Sequence, residues 1–564
     1  MKIKISLFLC LLLFACTNRN PVYGENGMVV STSRQASQVG IDILKKGGNA
    51  VDAAVAVGFT LAVTSSSNGN IGGGGFMVAR FKDGKTFSLD YREMAPQAAF
   101  KDVFLDSIGN VIDGKSTRTH FASGVPGSVD GLLKAWKDHG SGNISLSELI
   151  GPAIDYAENG FKLSDYEARR FNNRKSFLSK HLETKRIFTR QDRKWMEGDV
   201  FYQKDLAETL KRIAENGRDG FYKGRTAELI VEEMDKVGGW ISLNDLKNYS
   251  SKYRKPIYGN FNGYKIISMG PPSSGGILLV LMLNMIDEII KTNQYEVNDL
   301  NFNSKEYVHL LTEVERRAYA DRATHLGDED FWEVPTSMLL SKEYARQRVK
   351  DIDRDKASTS KEVKAGALVQ KESEETTHYS VVDKSGNAVS VTTTINSGYG
   401  SGITVSGAGF ILNNEMDDFS SKPGVPNMFG LLGNEANAIE PAKRPLSSMT
   451  PTIVLKEDKP YLILGTPGGS TIITTVLQNF LNVTFHQMSI KEAVDAPRFH
   501  SQWMPDMIDY EKNSLSKKVI KNLQKMGHIL DQRGSIGEAN GIMIDSLGFW
   551  GGADIRGENS AIGY

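Results

Sequence analysis

The stretch Thr376-Thr377-His378-Tyr379-Ser380-Val381-Val382 marks a sharp change in the character of the chain. Before it, residues 351–375 are charged and weakly apolar, which is typical of a mobile linker. After it, the pattern predicts a strand that turns at Asp383–Gly386 and returns over Ala388–Thr394 as a hairpin. A threonine between a linker and a strand is a weak signal by itself, so the rest of the chain must decide its meaning.

A second hairpin follows, with strands predicted at Thr452–Leu455 and Tyr461–Leu464. The segment Gly465-Thr466-Pro467-Gly468-Gly469-Ser470 then leads into an apolar helix, Thr471–Leu481. A strand that ends in a Gly-Gly loop opening a helix leaves backbone N–H groups unpaired. Such a loop can bind an anion.

Residues 27–350 read as mixed α/β and mostly helical, with helices predicted at Ala36–Lys46, Ala50–Val63 and Ser304–Leu326. The glycine-rich run Gly69–Gly75 follows a helix and not a strand, which argues against a nucleotide-binding loop. We therefore interpret it as a place where backbones approach closely.

The overall composition is that of a globular protein and excludes several partners. Of 564 residues, 40% are hydrophobic, and Lys+Arg and Asp+Glu both number 67. A balanced charge provides no long-range field for nucleic acid or an anionic membrane surface. The 2 cysteines, Cys10 and Cys16, both lie near the start, so no internal disulfide is expected in the mature chain.

The N-terminus predicts export. Residues 1–15 combine two lysines with a short apolar run, which is typical of a signal peptide and too short to span a membrane. Leu13-Phe14-Ala15-Cys16 resembles a bacterial lipobox, so we expect Cys16 to be lipidated and residues 16–27 to be a tether. The expected location is periplasmic, on a lipid anchor. The alternative is a plain secretory signal with an incidental cysteine.

Several motifs accompany Thr376 in a fixed order. They are Asp90-Tyr91-Arg92-Glu93-Met94-Ala95-Pro96, Thr394-Ile395-Asn396, Asn413-Asn414-Glu415-Met416-Asp417-Asp418-Phe419, Arg444-Pro445-Leu446-Ser447-Ser448-Met449 and Thr466-Pro467-Gly468-Gly469-Ser470. Together they closely resemble the γ-glutamyltransferase (γ-glutamyltranspeptidase) family, and the resemblance covers essentially the whole mature chain. It implies an α+β fold, the N-terminal-nucleophile hydrolase four-layer αββα sandwich, built from two self-cleaved fragments.

The resemblance also implies where the chain breaks. Cleavage is expected between Glu375 and Thr376, giving a large subunit, 28–375, and a small subunit, 376–564. Thr377 is the competing nucleophile, but the family's supporting threonine falls on Thr394 only if Thr376 is first. As a new N-terminus, Thr376 supplies its own base, because an α-amine with a pKa of about 8 is partly neutral near working pH. His378 is expected to make a structural hydrogen bond, the alternative being a Thr-His catalytic pair.

The resemblance assigns a role to each remaining site residue. Arg92 would bind the α-carboxylate of a γ-glutamyl group through two parallel hydrogen bonds, and the hydroxyls of Ser447 and Ser448 would donate to the same carboxylate. Asp418 and Glu415 would bind the α-ammonium, with Asn396 completing that pocket, and Gly468 and Gly469 would donate N–H groups to the oxyanion. No cofactor or metal is expected. The acidic run His325–Asp330 could suggest a metal site, but such residues after a helix are usually solvated.

One departure from the family concerns a lid. Lys422–Gly430 resembles the loop that covers the pocket in many bacterial members, which often carry a tyrosine where this chain has Phe429. That tyrosine's hydroxyl bonds the pocket asparagine, here Asn396. Phenylalanine keeps the ring and loses the donor, so a looser lid is expected.

The expected function is therefore a γ-glutamyltransferase and glutathione hydrolase. It would pass the γ-glutamyl group of glutathione and related amides through a threonine ester to water, amino acids or peptides. One alternative is a sibling acylase that removes glutaryl groups, which lack the α-ammonium that Asp418 and Asn396 would bind. The other is a lipid-anchored binding protein with vestigial machinery.

Overall fold

The computed structural model describes residues 20–292, 295–364, 376–422 and 424–564. Cys16 and Glu375, the expected lipidation and cleavage positions, lie outside these ranges. Within them, no helix is both long and apolar enough to cross a bilayer.

The strands assemble mainly into two large antiparallel sheets. In chain order they are β1 (Val22–Gly24), β2 (Gly27–Ser31), β3 (Gly74–Arg80), β4 (Thr86–Asp90), β5 (Phe161–Lys162), β6 (Val200–Phe201), β7 (Lys252–Arg254), β8 (Ile257–Phe261), β9 (Tyr264–Ser268), β10 (Thr377–Asp383), β11 (Ala388–Thr394), β12 (Thr452–Lys456), β13 (Lys459–Gly465), β14 (Phe499–His500), β15 (Ile508–Glu511), β16 (Leu530–Arg533), β17 (Asn540–Ile544), β18 (Phe549–Ala553) and β19 (Ser560–Gly563). The first sheet has the order β1-β18-β17-β13-β12-β9-β8, and the second has the order β19-β2-β10-β11-β3-β4-β7.

Helices cover the outer faces of these sheets. They are α1 (Arg34–Lys45), α2 (Ala50–Thr64), α3 (Lys115–Arg118), α4 (Ser128–His139), α5 (Leu146–Asn159), α6 (Asp165–Asn173), α7 (Lys175–Leu178), α8 (Leu182–Phe188), α9 (Lys204–Asn216), α10 (Asp219–Tyr222), α11 (Gly224–Asp235), α12 (Leu243–Asn248), α13 (Gly275–Lys291), α14 (Lys305–His325), α15 (Thr336–Leu339), α16 (Lys342–Val349), α17 (Thr471–Thr484), α18 (Ile490–Asp495) and α19 (Lys517–Met526). The three helices predicted before the linker are confirmed as α1, α2 and α14, each within two residues of its expected ends.

Three apolar clusters define the layers. One lies between the two sheets and joins Val30 and Phe76 of the second sheet to Ile267 and Ile453 of the first. A second cluster packs α1, α2, α4 and α5 on the outer face of the second sheet. The third packs α13, α14 and α17 on the outer face of the first sheet. The order helix, sheet, sheet, helix confirms the expected αββα sandwich of the α+β class.

The hairpin that begins after Thr376 lies in the middle of the second sheet. Thr377 pairs with Thr393 and Val382 with Ala388, so the predicted hairpin is confirmed. β10 also pairs with β2, and β11 pairs with β3. Strands from both sides of the expected cleavage point therefore alternate within one sheet.

The glycine run beside this hairpin packs against its backbone. A Cβ atom on Gly73 would lie 2.1 Å from the carbonyl oxygen of Thr394, and one on Gly75 would lie 2.6 Å from that of Thr392. Only glycine fits at that distance. The prediction of close backbone packing over Gly69–Gly75 is confirmed at these positions.

Two boundaries differ from the sequence analysis. Residues 22–24, assigned to the tether, form edge strand β1, because Tyr23 and its neighbours pair with β18. The described part of the predicted mobile linker, 351–364, is packed and not free: the indole Nε1 of Trp503 donates to the carbonyls of Ser360 and Val363, both at 3.0 Å. These partners are distant in sequence, which is why local composition missed them.

Candidate active site

Thr376 immediately precedes β10 and is only 4% exposed. Its carbonyl accepts a hydrogen bond from Nδ2 of Asn68 at 3.0 Å. The neighbouring Thr377 points elsewhere, since its Oγ1 lies 2.8 Å from Oγ1 of Thr32. Strand alternation therefore separates the two threonines, and it is Thr376 that lines a cavity.

This cavity gathers nearly all the residues predicted for the site. It is lined by Arg92, Thr376, Thr394, Asn396, Glu415, Asp418, Phe429, Leu431, Ser447, Ser448, Met449, Gly469 and Ile472. Its free volume is about 20 Å³, room for a single water molecule. Gly468, which was also predicted for the site, does not line this cavity but a neighbouring cleft.

His378 does not reach Thr376. Its Nδ1 lies 2.9 Å from Oγ1 of Thr392, and its Nε2 lies 3.0 Å from Oγ of Ser380. Burial lowers the pKa of His378 to about 3, so the ring is neutral. These contacts match the expected structural role and not a Thr-His pair.

Arg92 is buried and surrounded by acidic side chains. Its two terminal nitrogens donate to Glu415 and Asp418, and a third carboxylate, that of Glu93, lies 3.6 Å away. Nε of Arg92 donates to the carbonyl of Pro445 at 3.3 Å. The guanidinium is thereby held in one orientation, facing into the cavity.

The acids around Arg92 are harder to ionise than usual. Burial raises the pKa of Glu93 to about 7 and that of Glu415 well above its ordinary value, although Arg92 acts in the opposite direction. The pKa of Asp418 is also raised by burial. Both carboxylate oxygens of Glu93 lack a hydrogen-bond partner in the described part of the chain. The cluster thus favours holding a proton or meeting a cation.

Ser447 and Ser448 follow the two residues whose carbonyls accept hydrogen bonds from Arg92, and they are positioned partly by Arg322 of α14. Nη2 of Arg322 donates to Oγ of Ser448 at 3.3 Å, while the carbonyl of Ser447 accepts from Oγ of Ser274 at 2.7 Å. Arg322 also donates through Nε to Ser274 at 3.0 Å. Arg322 was not among the residues predicted for the site, and the only sequence signal for it is the motif Tyr319-Ala320-Asp321-Arg322.

Thr394 and Asn396 close the pocket at the end of β11. The backbone N–H of Asn396 donates to Oγ1 of Thr394 at 2.7 Å, and its Nδ2 donates to the carbonyl of Asn414 at 2.9 Å. Asn396 adopts a φ of 74°, a conformation that asparagine tolerates better than most residues. The same Nδ2 lies 3.6 Å from Sδ of Met428 in the lid.

The loop before α17 has the backbone that its glycines allow. Gly468 and Gly469 have φ values of 138° and 53°. A Cβ atom on Gly469 would lie 2.7 Å from the ring of Phe429, so lid and loop are in direct contact. The hydroxyl of Tyr319 donates to the carbonyl of Ser470 and fixes the end of the loop.

A second, larger cleft opens on the other side of Thr376. It has a volume of about 400 Å³ and is lined, among others, by Asn68, Tyr166, Arg170, Gly468 and Arg533. Thr376 and the glycine loop therefore separate a closed cavity from an open cleft that three arginines and Glu538 help to line.

Two acidic groups elsewhere resemble metal sites. Asp328, Glu329 and Asp330 are paired with Arg254 at 3.3, 3.4 and 2.9 Å, which accounts for the acidic run noted in the sequence. His309, Glu313 and His528 also cluster, but Glu313 is 2.7 Å from Nη1 of Arg317. An arginine on the carboxylate disfavours a divalent cation there.

A threonine at the start of a central strand, within two stacked antiparallel sheets covered by helices, defines the N-terminal-nucleophile hydrolase class. A family model described as Gamma-glutamyltranspeptidase matches residues 36–564. The chain belongs to the γ-glutamyltranspeptidase family.

Relatives and solved structures agree with this placement. The chain is similar to the glutathione hydrolase proenzyme of Escherichia coli, with 46% identity over 95% of this chain and 91% of that one. The proenzyme of Pseudomonas aeruginosa is 44% identical over 94% of each chain. Among solved structures, Helicobacter pylori γ-glutamyltranspeptidase matches at 42% identity and a TM-score of 0.58 over 62% of this chain and 97% of that chain. Cephalosporin acylase from Bacillus halodurans matches at 25% identity and a TM-score of 0.82 over 99% of both.

Proposed function

We propose that this protein cleaves itself between Glu375 and Thr376 and then transfers the γ-glutamyl group of glutathione and related amides to water, amino acids or peptides. The observation that carries the proposal is the single cavity that joins Thr376 to Arg92, Glu415, Asp418 and the serine pair. A threonine nucleophile and binding groups for both charges of an amino acid meet there. Self-cleavage also agrees with the word proenzyme in the names of the bacterial relatives.

The donor is recognised through an exchange of ion pairs. Arg92 donates to Glu415 and Asp418 in the structure. A γ-glutamyl group carries an α-carboxylate and an α-ammonium. The donor α-carboxylate can replace the acidic side chains as the partner of Arg92 and accept hydrogen bonds from Ser447 and Ser448. The donor α-ammonium can then bind the freed carboxylates of Glu415 and Asp418, together with Asn396. In this arrangement each charge of the donor has a partner of opposite sign, and the large free-energy cost of an unpaired buried charge is avoided.

The chemistry follows from the position of Thr376 between cavity and cleft. Its free α-amine accepts the hydroxyl proton as Oγ1 attacks the γ-carbonyl carbon. The N–H groups of Gly468 and Gly469 stabilise the oxyanion, each by about 3 kcal/mol. The amine of the donor leaves with the proton, and water or an acceptor amine then attacks the ester. Thr394 supports the nucleophile from the same cavity.

The cleft on the other side of Thr376 suits the leaving group and the acceptor. Its volume of about 400 Å³ is within the range of small-ligand sites. Its lining includes Arg170 and Arg533, the latter paired with Asp509 at 2.8 Å, so an acceptor carboxylate would join a group of charges that is already partly balanced. The acceptor amine would then approach the ester from the side opposite the glutamyl pocket.

The two fragments are proposed to stay together as a heterodimer of 28–375 and 376–564. The Helicobacter pylori structure covers 62% of this chain, a share close to that of the large fragment. We further propose export and a lipid anchor on Cys16 as the only membrane attachment. Release of a Cys16→Ser variant from the membrane fraction tests the anchor, and a variant that stays bound would refute it.

A glutaryl-specific acylase is the second candidate, supported by the fold of the cephalosporin acylase structure. Glutaryl lacks the α-ammonium, so it would leave Glu415 and Asp418 without a cation from the substrate. Comparing γ-glutamyl and glutaryl anilides as donors separates the two activities, and γ-glutamyl is expected to be preferred at least tenfold.

The proposal as a whole is tested on a denaturing gel and by N-terminal sequencing. Wild type should give two bands, the smaller one beginning at Thr376, and Thr376→Ala should remain one chain. Thr377→Ala is the matched control and should still cleave, because its hydroxyl bonds Thr32 outside the cavity. A small fragment that begins at Thr377, or an uncleaved wild type with no γ-glutamyl transfer, would refute the assignment.

A further inference from the structure

The lid is closed over the donor cavity in this structure, although it lacks the tyrosine hydroxyl. The Phe429 ring is 3% exposed and lies against Gly469. Asn396, the expected partner of a tyrosine, instead donates to the carbonyl of Asn414. The buried ring contributes packing, so any hydrogen bonds that hold the lid must come from groups other than the side chain of residue 429.

Part of the closure comes from the pocket side. The N–H of Met428 donates to Oδ2 of Asp417 at 2.8 Å, and Nδ2 of Asn427 donates to Oδ1 of Asp418 at 3.1 Å. The second of these bonds uses a carboxylate proposed to bind the donor. A bound ammonium would compete for Asp418, so this contact alone is a poor lock for the occupied state.

A third contact comes from outside the cavity and, like the bond from Met428 to Asp417, does not use a donor-binding group. Nε2 of Gln502 donates to the backbone carbonyl of Phe429 at 3.1 Å. The orientation of the Gln502 amide is fixed, because a carbonyl can only accept. Its Oε1 accordingly lies 2.8 Å from Nε2 of His500, which donates to it.

His500 connects this bond to α17. Burial lowers the pKa of His500 to about 3, so the ring is neutral and its Nδ1 is an acceptor, 2.8 Å from Oγ1 of Thr474. The single proton of this hydroxyl is shared between Nδ1 and the carbonyl of Thr471 at 3.1 Å. Thr474 lies in the first turn of α17, directly after the Gly468–Gly469 loop. A continuous chain of hydrogen bonds therefore runs from the helix behind the oxyanion glycines to the lid backbone.

Gln502 is itself held in place. The next residue, Trp503, has a φ of 70° and donates to the carbonyls of Ser360 and Val363, near the described end of the large fragment. Gln502 is 7% exposed, so its bond to the lid is shielded from water. A buried, pre-positioned amide of this kind makes a stronger contact than a surface one.

We propose that Gln502 is the latch of the lid, a positioning residue that acts on the backbone of Phe429 and so keeps the γ-glutamyl pocket closed. The inference rests on the proposed γ-glutamyl function. Because the latch binds a backbone carbonyl, it works whatever side chain occupies position 429. This explains how the chain keeps a closed lid with phenylalanine there.

The test uses the self-cleaved enzyme and the variant Gln502→Met, which keeps the side-chain length and removes the donor. Losing one buried hydrogen bond should raise the donor KM about five- to tenfold, while kcat changes less than about twofold. The second readout is cleavage by chymotrypsin after Phe429, a bond that is accessible only when the lid opens. It should become several times faster.

Gln203→Met is the matched control. Gln203 is a buried glutamine whose Nε2 donates to the carbonyl of Val63 at 2.8 Å, and not to the lid or to the chain from Thr474 to Gln502. It should leave donor KM and lid proteolysis at wild-type values. If Gln502→Met does not fold, Gln502→Asn, one methylene shorter, replaces it with the same expected result.

The outcomes separate the latch from the function. If a self-cleaved Gln502 variant has the donor KM and the rate of lid proteolysis of the wild type, Gln502 is not the latch. The lid would then be held by its hydrogen bonds to Asp417 and Asp418. Equal changes in the Gln203 variant would also overturn it, since the loss of any buried glutamine would then explain both. Failure of the wild type to transfer γ-glutamyl groups would instead refute the proposed function.

Discussion

Arg92 shows how one residue sets the chemistry of the pocket. It is 1% exposed, touches two carboxylates, lies 3.6 Å from Glu93 and donates to two backbone carbonyls. Only a planar group with five N–H donors meets so many acceptors at once. The raised pKa of Glu93, about 7 through burial, indicates that Arg92 does not fully offset the cost of three acids in one place. The α-ammonium of a γ-glutamyl donor gives these acids a new cation while its α-carboxylate takes their place on Arg92.

At this scale we predict the effect of Arg92→Lys. Lysine keeps the charge but loses the planar pair of N–H donors that binds a substrate carboxylate through two bonds, so donor KM should rise about ten- to a hundredfold with kcat little changed. Steady-state kinetics with a γ-glutamyl anilide measures both values. Arg254→Lys is the control, because Arg254 is equally surrounded by acids but lies outside the cavity. Identical KM values in wild type and Arg92→Lys would remove Arg92 from the carboxylate site.

At the scale of elements, the decisive unit is the segment from β13 through the glycine loop into α17. β13 ends at Gly465, and α17 begins at Thr471. The positive φ values of Gly468 and Gly469 turn the chain between them. Tyr319 of α14 donates a hydrogen bond to the carbonyl of Ser470 in this loop, and the ring of Phe429 in the lid packs against Gly469. The loop is consequently where lid, nucleophile and helix meet.

For this element we predict that Gly469→Ala lowers kcat/KM by more than the strain of its backbone conformation alone would account for. An alanine at a φ of 53° costs about 1 kcal/mol, and its Cβ would also displace the Phe429 ring. The kcat/KM for the donor should fall at least tenfold, toward the loss seen when an oxyanion donor is misplaced.

Gly386→Ala is the matched control, because Gly386 has a φ of 82° with open space around it. It should lose stability similarly and keep wild-type kcat/KM, as thermal unfolding and kinetics will report. Equal kcat/KM values for the two variants would mean that the loop geometry does not matter to the reaction.

At the scale of the molecule, the strands of the two proposed fragments are interleaved in both sheets. In the second sheet, β10 and β11 of the small fragment lie between β2 and β3 of the large one. In the first sheet, β9 of the large fragment pairs with β12 of the small one. The cluster between the sheets draws side chains from both. Each fragment alone would expose sheet edges and half of a core.

We therefore predict that cleavage does not release the fragments. The cleaved protein should elute from a gel-filtration column at the size of the intact chain, and the fragments should separate only in denaturant, because separation requires breaking both sheets. Mass spectrometry of the eluted peak gives the composition. Fragments that elute apart in native buffer would contradict the interleaved architecture.

The sequence by itself determined the parts of this protein that depend on neighbours along the chain. The β10–β11 hairpin, the start of α17 and the tight glycine run follow from turn residues, periodicity and the absence of side chains, all of which act locally. Thr376 and Thr394, which the motif order assigned to one site, line the same cavity.

Only the tertiary structure decided which distant groups meet. The pairing of Arg92 with Glu415 and Asp418, the support of Ser448 by Arg322 and the bond from Gln502 to the lid each join residues far apart in sequence. The docking of 351–364 and the edge strand β1 have the same origin. The free energy of such contacts depends on burial and distance in the folded chain, which no local pattern of residues specifies.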